Sequence, residues 1–506
     1  MLARLESFPL FVVLLGVAAV SMLAPAVIGY ISRDLFEARV FFYLAILLSF
    51  LTAMIGLAAR KKGQGISARA QLLTLLAAYA LLPVVFAVPF YEALRTTTFV
   101  NAYFEMVSAF TTTGATVFDV PERLSAPLHL WCAQVAWMGG LFIWITAIAV
   151  LSPMNLGGFE VSNTQEAAQR AANLSQFSKS TAPAKRLARH AVQLTPIYVG
   201  LTAVMALILI LAGDTPLVAV THAMGVISTS GISAVGGVEN ANSGFVGEFV
   251  LLLFMVFALS RLTFSNDFRA RNGAGLMQDP EMRLAAVVII AIPVVLFLRH
   301  WFGAFEVNSE ENFAAAVRAI WGSVFTVVSF LTTTGYESSG WSSAQNWSGL
   351  SSPGLILMGL ALLGGGVATT AGGVKLLRVY ALYKHGLREM TRLVHPNSVS
   401  GAAGGARHIR REGAFIAWIF FMLFALSLAF IMLALSWSGL TFETSMALSV
   451  AALSTTGPLA NVATDAPIAY SGLPNTAKMI LSAAMVLGRL ETLAIIALLN
   501  PEFWRS

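Results

Sequence analysis

The stretch NAYFEMVSAFTTTGAT, residues 101–116, decides how the chain folds. Its first part, Asn101 to Thr112, is too apolar for an ordinary loop. It is also too short to cross the ~30 Å of hydrocarbon that a transmembrane helix of about twenty residues spans. It runs directly into Thr111-Thr112-Thr113-Gly114-Ala115-Thr116. A short helix that enters a membrane and turns back leaves peptide groups that lipid cannot satisfy, so such a turn survives only buried in protein or lining a wet cavity. The length predicts a re-entrant half-helix, and the setting predicts a pore.

The pattern recurs. Pro216 to Thr229, Phe313 to Thr333 and Phe442 to Thr455 are segments of the same kind. Their turns read Ser228-Thr229-Ser230-Gly231, Thr332-Thr333-Thr334-Gly335 and Ser454-Thr455-Thr456-Gly457. One copy would mean little, because glycine commonly ends helices and threonine commonly sits in turns. Four copies at corresponding places make an internal repeat, which capping alone does not supply. The order span, half-helix, glycine turn, span occurs four times after a leading pair of spans. The division is a leading pair at 1–66, repeat 1 at 67–160, repeat 2 at 161–272, repeat 3 with its large inside loop at 273–400 and repeat 4 at 401–506.

Composition agrees with a membrane setting. Of 506 residues, 57% are apolar and 11% charged, against about 25% charged in a soluble domain; the mean hydropathy is +0.76. Runs such as Phe8 to Tyr30, Val40 to Ala59, Phe245 to Leu259 and Phe415 to Ser436 bring the expected total to about ten spans. Ala24-Pro25-Ala26 loosely mimics a signal cleavage site. The first run exceeds the usual apolar core of about 7–15 residues, however, and a second span follows at once, so it reads as a retained anchor.

The formal charge of +6 reports topology and not nucleic acid. With the N-terminus inside, the outside basic residues are Arg33, Arg39, Arg95, Arg123, Arg299, Arg318 and Lys478, Arg489 lies alone within a span, and the remainder fall inside. That excess puts both termini in the cytoplasm. Cys132 is the one cysteine, so neither a disulfide within the chain nor a thiolate cluster is available. The seven histidines match no zinc spacing. No nucleophile, acid–base pair or metal cluster in the spans supports an enzyme. With no phosphate-binding loop, nucleotide control would have to come from another subunit.

Hydroxyl-bearing residues ending in glycine present carbonyl oxygens that can replace an ion's hydration shell. The Thr/Ser-Gly step itself contains no carboxylate, which a calcium or magnesium site would normally bring, so the chemistry favours a dehydrated monovalent cation. A secondary transporter built on broken helices is the alternative, and fourfold in place of twofold repetition argues against it.

The four turns are accompanied by Trp137-Met138-Gly139-Gly140, the stretch Arg388 to Asn397, Gly488-Arg489-Leu490-Glu491 and the ending Asn500-Pro501-Glu502-Phe503-Trp504-Arg505. Along nearly its whole length the sequence resembles the Trk/Ktr/HKT superfamily of potassium transporters, most closely the TrkH branch. The resemblance implies an all-α polytopic membrane protein with four tandem span/pore-helix/span repeats around one pseudo-fourfold pore, preceded by an extra pair of transmembrane helices. It implies K⁺ as the transported ion, held by carbonyls around Thr112, Thr113, Gly114, Thr229, Ser230, Gly231, Thr333, Thr334, Gly335, Thr455, Thr456 and Gly457. It further implies a homodimer in the bacterial inner membrane and a cytosolic TrkA-like partner that binds NAD and responds to ATP. Uptake would be driven by the membrane potential, about 2.3 kcal/mol per charge per 100 mV, with proton coupling left open.

The small residues from Gly364 to Lys375 interrupt a span, either by unwinding it or by letting helices pack closely. The resemblance implies unwinding, into a gating loop of Gly364, Gly365, Gly366, Thr369, Thr370, Gly372, Gly373 and Lys375, with Ala368 where relatives often carry glycine. Arg489 is costly at its depth. It reads as paired with Glu491 or another acid, as a barrier facing that loop, or as both. Glu105, Asp119, Glu122, Glu239, Glu337 and Asp465 read mostly as solvated charges at the outer mouth, able to concentrate cations there. Gly401 to Arg411 reads as a flexible inside loop, and Lys384 to Arg411 as a handle for a soluble partner.

Overall fold

The computed structural model describes residues 9–59, 68–152, 158–159, 183–260, 279–302, 313–350, 352–395, 411–464 and 466–490. Glu491, Asp465, residues 401–410 and the ending Asn500 to Arg505 lie outside them.

Among the described residues every regular element is helical. A leading pair consists of α1 (Leu10–Ser21) continued by α2 (Leu23–Ile31), followed by α3 (Leu35–Ala58). Then one order recurs. First come α4 (Ala68–Leu94), the short α5 (Phe99–Phe110) and α6 (Ala126–Thr146), then α7 (Pro183–Leu211), α8 (Pro216–Ile227) and α9 (Gly244–Met255). Next are α10 (Pro280–Phe302), α11 (Phe313–Leu331), α12 (Trp341–Ser348), α13 (Gly354–Leu363) and α14 (Leu376–Val394). The last group is α15 (Arg411–Trp437), α16 (Phe442–Leu453), α17 (Leu459–Val462) and α18 (Asn475–Leu490).

The groups close into a ring. Each short helix packs against the helix before it in its own group and against a later helix of the preceding group: α8 on α6, α11 on α9, α16 on α13 and α5 on α18. The expected fourfold arrangement is therefore built by cyclic contacts, with the four short helices inside.

Among the described residues eight helices are long and apolar enough to cross a membrane, where the sequence reading expected about ten spans in the whole chain. Two helices that close groups, Gly244–Ala258 and Gly354–Leu363, are short, the second because the chain leaves the helix at Gly364, and Asn475–Leu490 runs to the edge of the described residues. Conversely α11, read as a half-helix, is long enough to count as a span, although its inner end stops at a turn.

Lipid explains the surface. On α3 only 17% of the apolar window is buried, whereas on α6 the share is 72%, so α3 faces the bilayer and α6 the protein interior. Lipid tails are as apolar as leucine, so packing and interhelical hydrogen bonds hold the bundle in place of water exclusion. At the junction of the leading pair with the first group, fully buried Trp131 stacks edge-on against Phe41 and Phe86 and donates its Nε1–H to the Phe86 carbonyl at 3.1 Å.

Candidate functional site

The four short helices end alike, residue for residue. The residue that follows each helix is Thr111, Ser228, Thr332 or Ser454, whose hydroxyl donates to the carbonyl four residues back at 2.7, 2.7, 2.9 and 2.7 Å. The next residue, Thr112, Thr229, Thr333 or Thr455, is left-handed, with φ of 56°, 55°, 58° and 54°. Its N–H, and that of the residue after it, turn back onto the helix. Thr112 and Thr113 donate to Ala109 and Ser108, Thr229 and Ser230 to Val226 and Gly225, Thr333 and Thr334 to Phe330 and Ser329, and Thr455 and Thr456 to Ala452 and Ala451. This is the helix-ending pattern that normally employs glycine. A β-branched residue at positive φ is an outlier, worth about 1–2 kcal/mol of strain at each turn.

The consequence is directional. In each turn the N–H groups of the two residues before the glycine are consumed behind it, and the Ser230 and Thr334 carbonyl oxygens face the glycine of a neighbouring turn, where the turns meet. A Cβ on Gly114 would overlap the Ser230 carbonyl oxygen, one on Gly231 the Thr334 carbonyl oxygen, and one on Gly457 the Ala115 nitrogen. The twelve residues expected to form the ion site are thus brought to one place. The fourth turn differs. Gly114, Gly231 and Gly335 have φ of 73°, 64° and 84°, but Gly457 is not left-handed. Its N–H donates to the Thr113 carbonyl at 2.6 Å, its carbonyl accepts from the Tyr470 hydroxyl at 3.0 Å, and the Pro458 ring lies against Gly335 and Gly231.

Glycines also explain two motifs in the flanking helices. A Cβ on Gly139 of α6 would overlap the Phe110 carbonyl, and one on Gly488 of α18 the Leu453 carbonyl. Only glycine lets these helices touch the ends of α5 and α16.

Beneath the turns lies the interrupted span. The chain leaves α13 at Gly364 (φ 71°) and resumes helix at Leu376, so of the two readings of this segment the unwound one is correct. Thr370 donates its hydroxyl to the Ile227 carbonyl at 3.2 Å, and the Gly372 N–H donates to Thr333 Oγ1 at 2.8 Å. A Cβ on Gly372 would overlap Thr455 Oγ1. The loop therefore touches the second, third and fourth turns. Gly365 and Gly366 face the carbonyls of Ala258 and Leu259 instead, at the end of the second group. Thr369 bonds within the loop to the Gly366 carbonyl at 2.7 Å, and the Lys375 ammonium folds back onto the Ala371 carbonyl. Arg489, 4% exposed, donates from Nη1 to the Thr370 carbonyl at 2.7 Å. This places it on the loop, as expected; its other expected partner, Glu491, lies outside the described residues.

Ala368 holds φ 57° at the place noted above for glycine. Ala368→Gly removes ~1–2 kcal/mol of left-handed strain and adds up to ~1 kcal/mol of backbone entropy cost. The melting temperature of the detergent-solubilised protein is expected to rise by about 1 °C, since ~1 kcal/mol shifts a large protein by only a few degrees. A fall would show the position to be unstrained.

Above the turns opens a cavity of about 350 Å³ lined by the four glycines, Glu105, Asp119, Glu239 and Glu337. Burial, then the charge of Glu239, pushes the Glu337 carboxyl up to about 7, and burial likewise raises Glu239. Glu105 corrects the sequence reading. It is not a solvated loop charge but a buried residue of α5 whose Oε2 accepts from the Val117 N–H at 3.0 Å. Three further buried acids were passed over in the sequence: Asp214 after α7, Glu248 in α9, and Glu281 at the start of α10, whose Oε1 accepts from the loop's Val367 N–H at 2.8 Å. The signal for Glu248 was present, since a lone acid in an apolar run is costly unless it is used.

Comparison with known proteins matches residues 38–505 to the TrkH family model, described as cation transport protein. The chain is 30% identical over 503 residues to the Trk system potassium uptake protein TrkH of Vibrio parahaemolyticus, covering 97% of this chain and 98% of that one. It is 29% identical to the TrkH of Escherichia coli K12, covering 96% of each, and 27% identical to that organism's potassium uptake protein TrkG. Among solved structures, the crystal structure of the potassium transporter TrkH from Vibrio parahaemolyticus superposes with a TM-score of 0.82 at 26% identity over the whole of both chains.

Proposed function

This chain belongs to the TrkH family of cation transport proteins, and we propose that it is the membrane subunit of a potassium uptake system whose four turns form the ion filter. It is a multi-pass membrane protein and a transporter, not an enzyme. The observation that carries the filter assignment is the fourfold recurrence of one helix ending: in every turn the two residues before the glycine spend their N–H groups on their own helix, which supports a centre lined by carbonyl oxygens. The buried hydroxyls of Thr112 and Thr455 have no hydrogen-bond partner among the described residues, which suits oxygens reserved for a cation.

In this reading K⁺ collects in the acidic outer cavity, exchanges water for carbonyl oxygens at the turns and is drawn inward by the membrane potential. The loop from Gly364 to Lys375, pinned by Arg489 through Thr370, closes the inner side. The domain boundaries stated above, both termini in the cytoplasm of a bacterial inner membrane, a homodimer and a cytosolic TrkA-like regulatory subunit belong to the same proposal. Protein in liposomes with an inside-negative K⁺ diffusion potential is expected to accumulate Rb⁺, and its expression to rescue growth of uptake-deficient cells at low K⁺. Absence of Rb⁺ accumulation by well-folded protein, regulatory subunit included, would refute the assignment.

A further inference from the structure

Glu248 is the one acid of α9 and is 1% exposed. Charge at this depth is retained where it has a task, and the task is legible in its partners. Oε2 accepts from Trp321 Nε1 at 2.6 Å and from the Ser338 hydroxyl at 2.7 Å. Oε1 accepts from the Ser339 N–H and the Ser339 hydroxyl, each at 2.7 Å. Trp321 belongs to α11, the helix leading into the third turn, and Ser338 and Ser339 lie three and four residues past Gly335. One side chain from the second group thus grips the third turn on both sides, before and after its glycine. Each oxygen accepts from an obligate donor, an indole or a peptide N–H. That demand is met by a carboxylate and by no neutral side chain of the same shape.

The other turns are tied down at the same place by weaker means. Nine residues before each glycine stand Glu105, His222, Thr326 and Leu448. Glu105 accepts from Val117 N–H, His222 bonds the Ser233 hydroxyl at 2.7 Å, and Thr326 accepts from Ser338 N–H at 3.4 Å. Leu448 offers nothing polar, and Tyr470 holds that turn instead. The third turn alone combines its helix-borne anchor with a four-bond clamp from a neighbouring group.

We propose that Glu248 is a positioning residue that sets ion specificity: through Trp321, Ser338 and Ser339 it fixes the path of the backbone around Gly335 and so the spacing of the carbonyls that distinguish K⁺ from Na⁺. A carbonyl cage prefers the larger ion only while it resists contracting onto the smaller one, and resistance requires that the strand behind the carbonyls be held. The inference rests on the reading of the four turns as the filter.

The test is Glu248→Gln in the full chain, reconstituted in liposomes, with Rb⁺ uptake measured against rising Na⁺. The amide must point its NH₂ at an indole or peptide N–H, which loses one bond and sets donor against donor. The Na⁺ concentration that halves Rb⁺ uptake is expected to fall about tenfold. Asp214→Asn is the matched control. It removes a buried carboxylate that bonds the Ser243 N–H and hydroxyl at 2.8 and 2.9 Å and makes none of the bonds to the third turn that Glu248 makes, and it should leave that concentration unchanged. If Glu248→Gln does not insert, the Ser338→Ala, Ser339→Ala double variant takes its place, with about a threefold fall expected. Unchanged Na⁺ sensitivity in whichever variant inserts overturns the role of Glu248. Gly335→Ser is measured alongside: a change there without one in the Glu248 variant refutes the clamp and leaves the filter standing, whereas no change in either refutes both.

Discussion

Gly114→Ser is expected to cut K⁺ uptake at least ~100-fold and to erase what preference for K⁺ over Na⁺ remains. Gly114 sits at φ 73°, which costs a non-glycine residue about 1–2 kcal/mol. A Cβ there would also overlap the Ser230 carbonyl oxygen of the neighbouring turn, and overpacking of this kind costs a further ~1–3 kcal/mol. Relief by movement is closed off, because the obstacle is backbone and is itself tied to Gly225 through the Ser230 N–H at 2.8 Å. Rb⁺ flux into liposomes and its inhibition by Na⁺ measure both parts. Gly335→Ser should be milder, since its Cβ would meet only the Pro458 ring, at 3.0 Å, and a ring edge can shift. Equal flux and equal ion preference in Gly114→Ser and the parent protein would remove the turns from the ion path.

Arg489→Ala should do the reverse and raise K⁺ flux. The guanidinium is buried beneath the filter and bound to the Thr370 carbonyl of the loop. In the proposed mechanism its removal withdraws a positive charge from the ion path and a clamp from the gating loop. At an effective dielectric constant of ~20, a unit charge about 8 Å from a passing cation opposes it by ~2 kcal/mol, a factor of about thirty. Arg489→Lys separates the two effects. It keeps the charge but presents a compact ammonium in place of a planar fork, so flux should rise only modestly if charge dominates and fully if the clamp does. Reduced flux together with reduced yield of folded protein would make Arg489 a structural residue and nothing more.

Much of this was legible in the sequence because the repeat unit is local. A half-helix too short to cross, followed by Thr-Gly, encodes its own ending, and the backbone of Thr112, Thr229, Thr333 and Thr455 obeys that local instruction to within a few degrees. The same is true of Gly364, where glycine both permits the helix to stop and marks where it does. What failed was whatever depended on the partner of a side chain. Glu105 looked like a mouth charge and is instead an internal anchor. Glu248 drew no reading, because nothing near it in the chain names Ser338 and Ser339, about ninety residues on, as its partners.

Sequence alone determined the solvent and the period of this protein: apolar length dictates lipid, and four matching turns dictate a fourfold centre. Only the tertiary structure decided how unequal the four turns are. Whether Gly457 is left-handed, which carbonyl its N–H occupies, which turn receives the carboxylate clamp and which carbonyl Arg489 holds are all set by contacts between groups far apart in the chain. Hydrogen bonds between such groups form only once packing has brought donor and acceptor within about 3 Å of each other, and no periodicity in a single strand of text encodes that meeting.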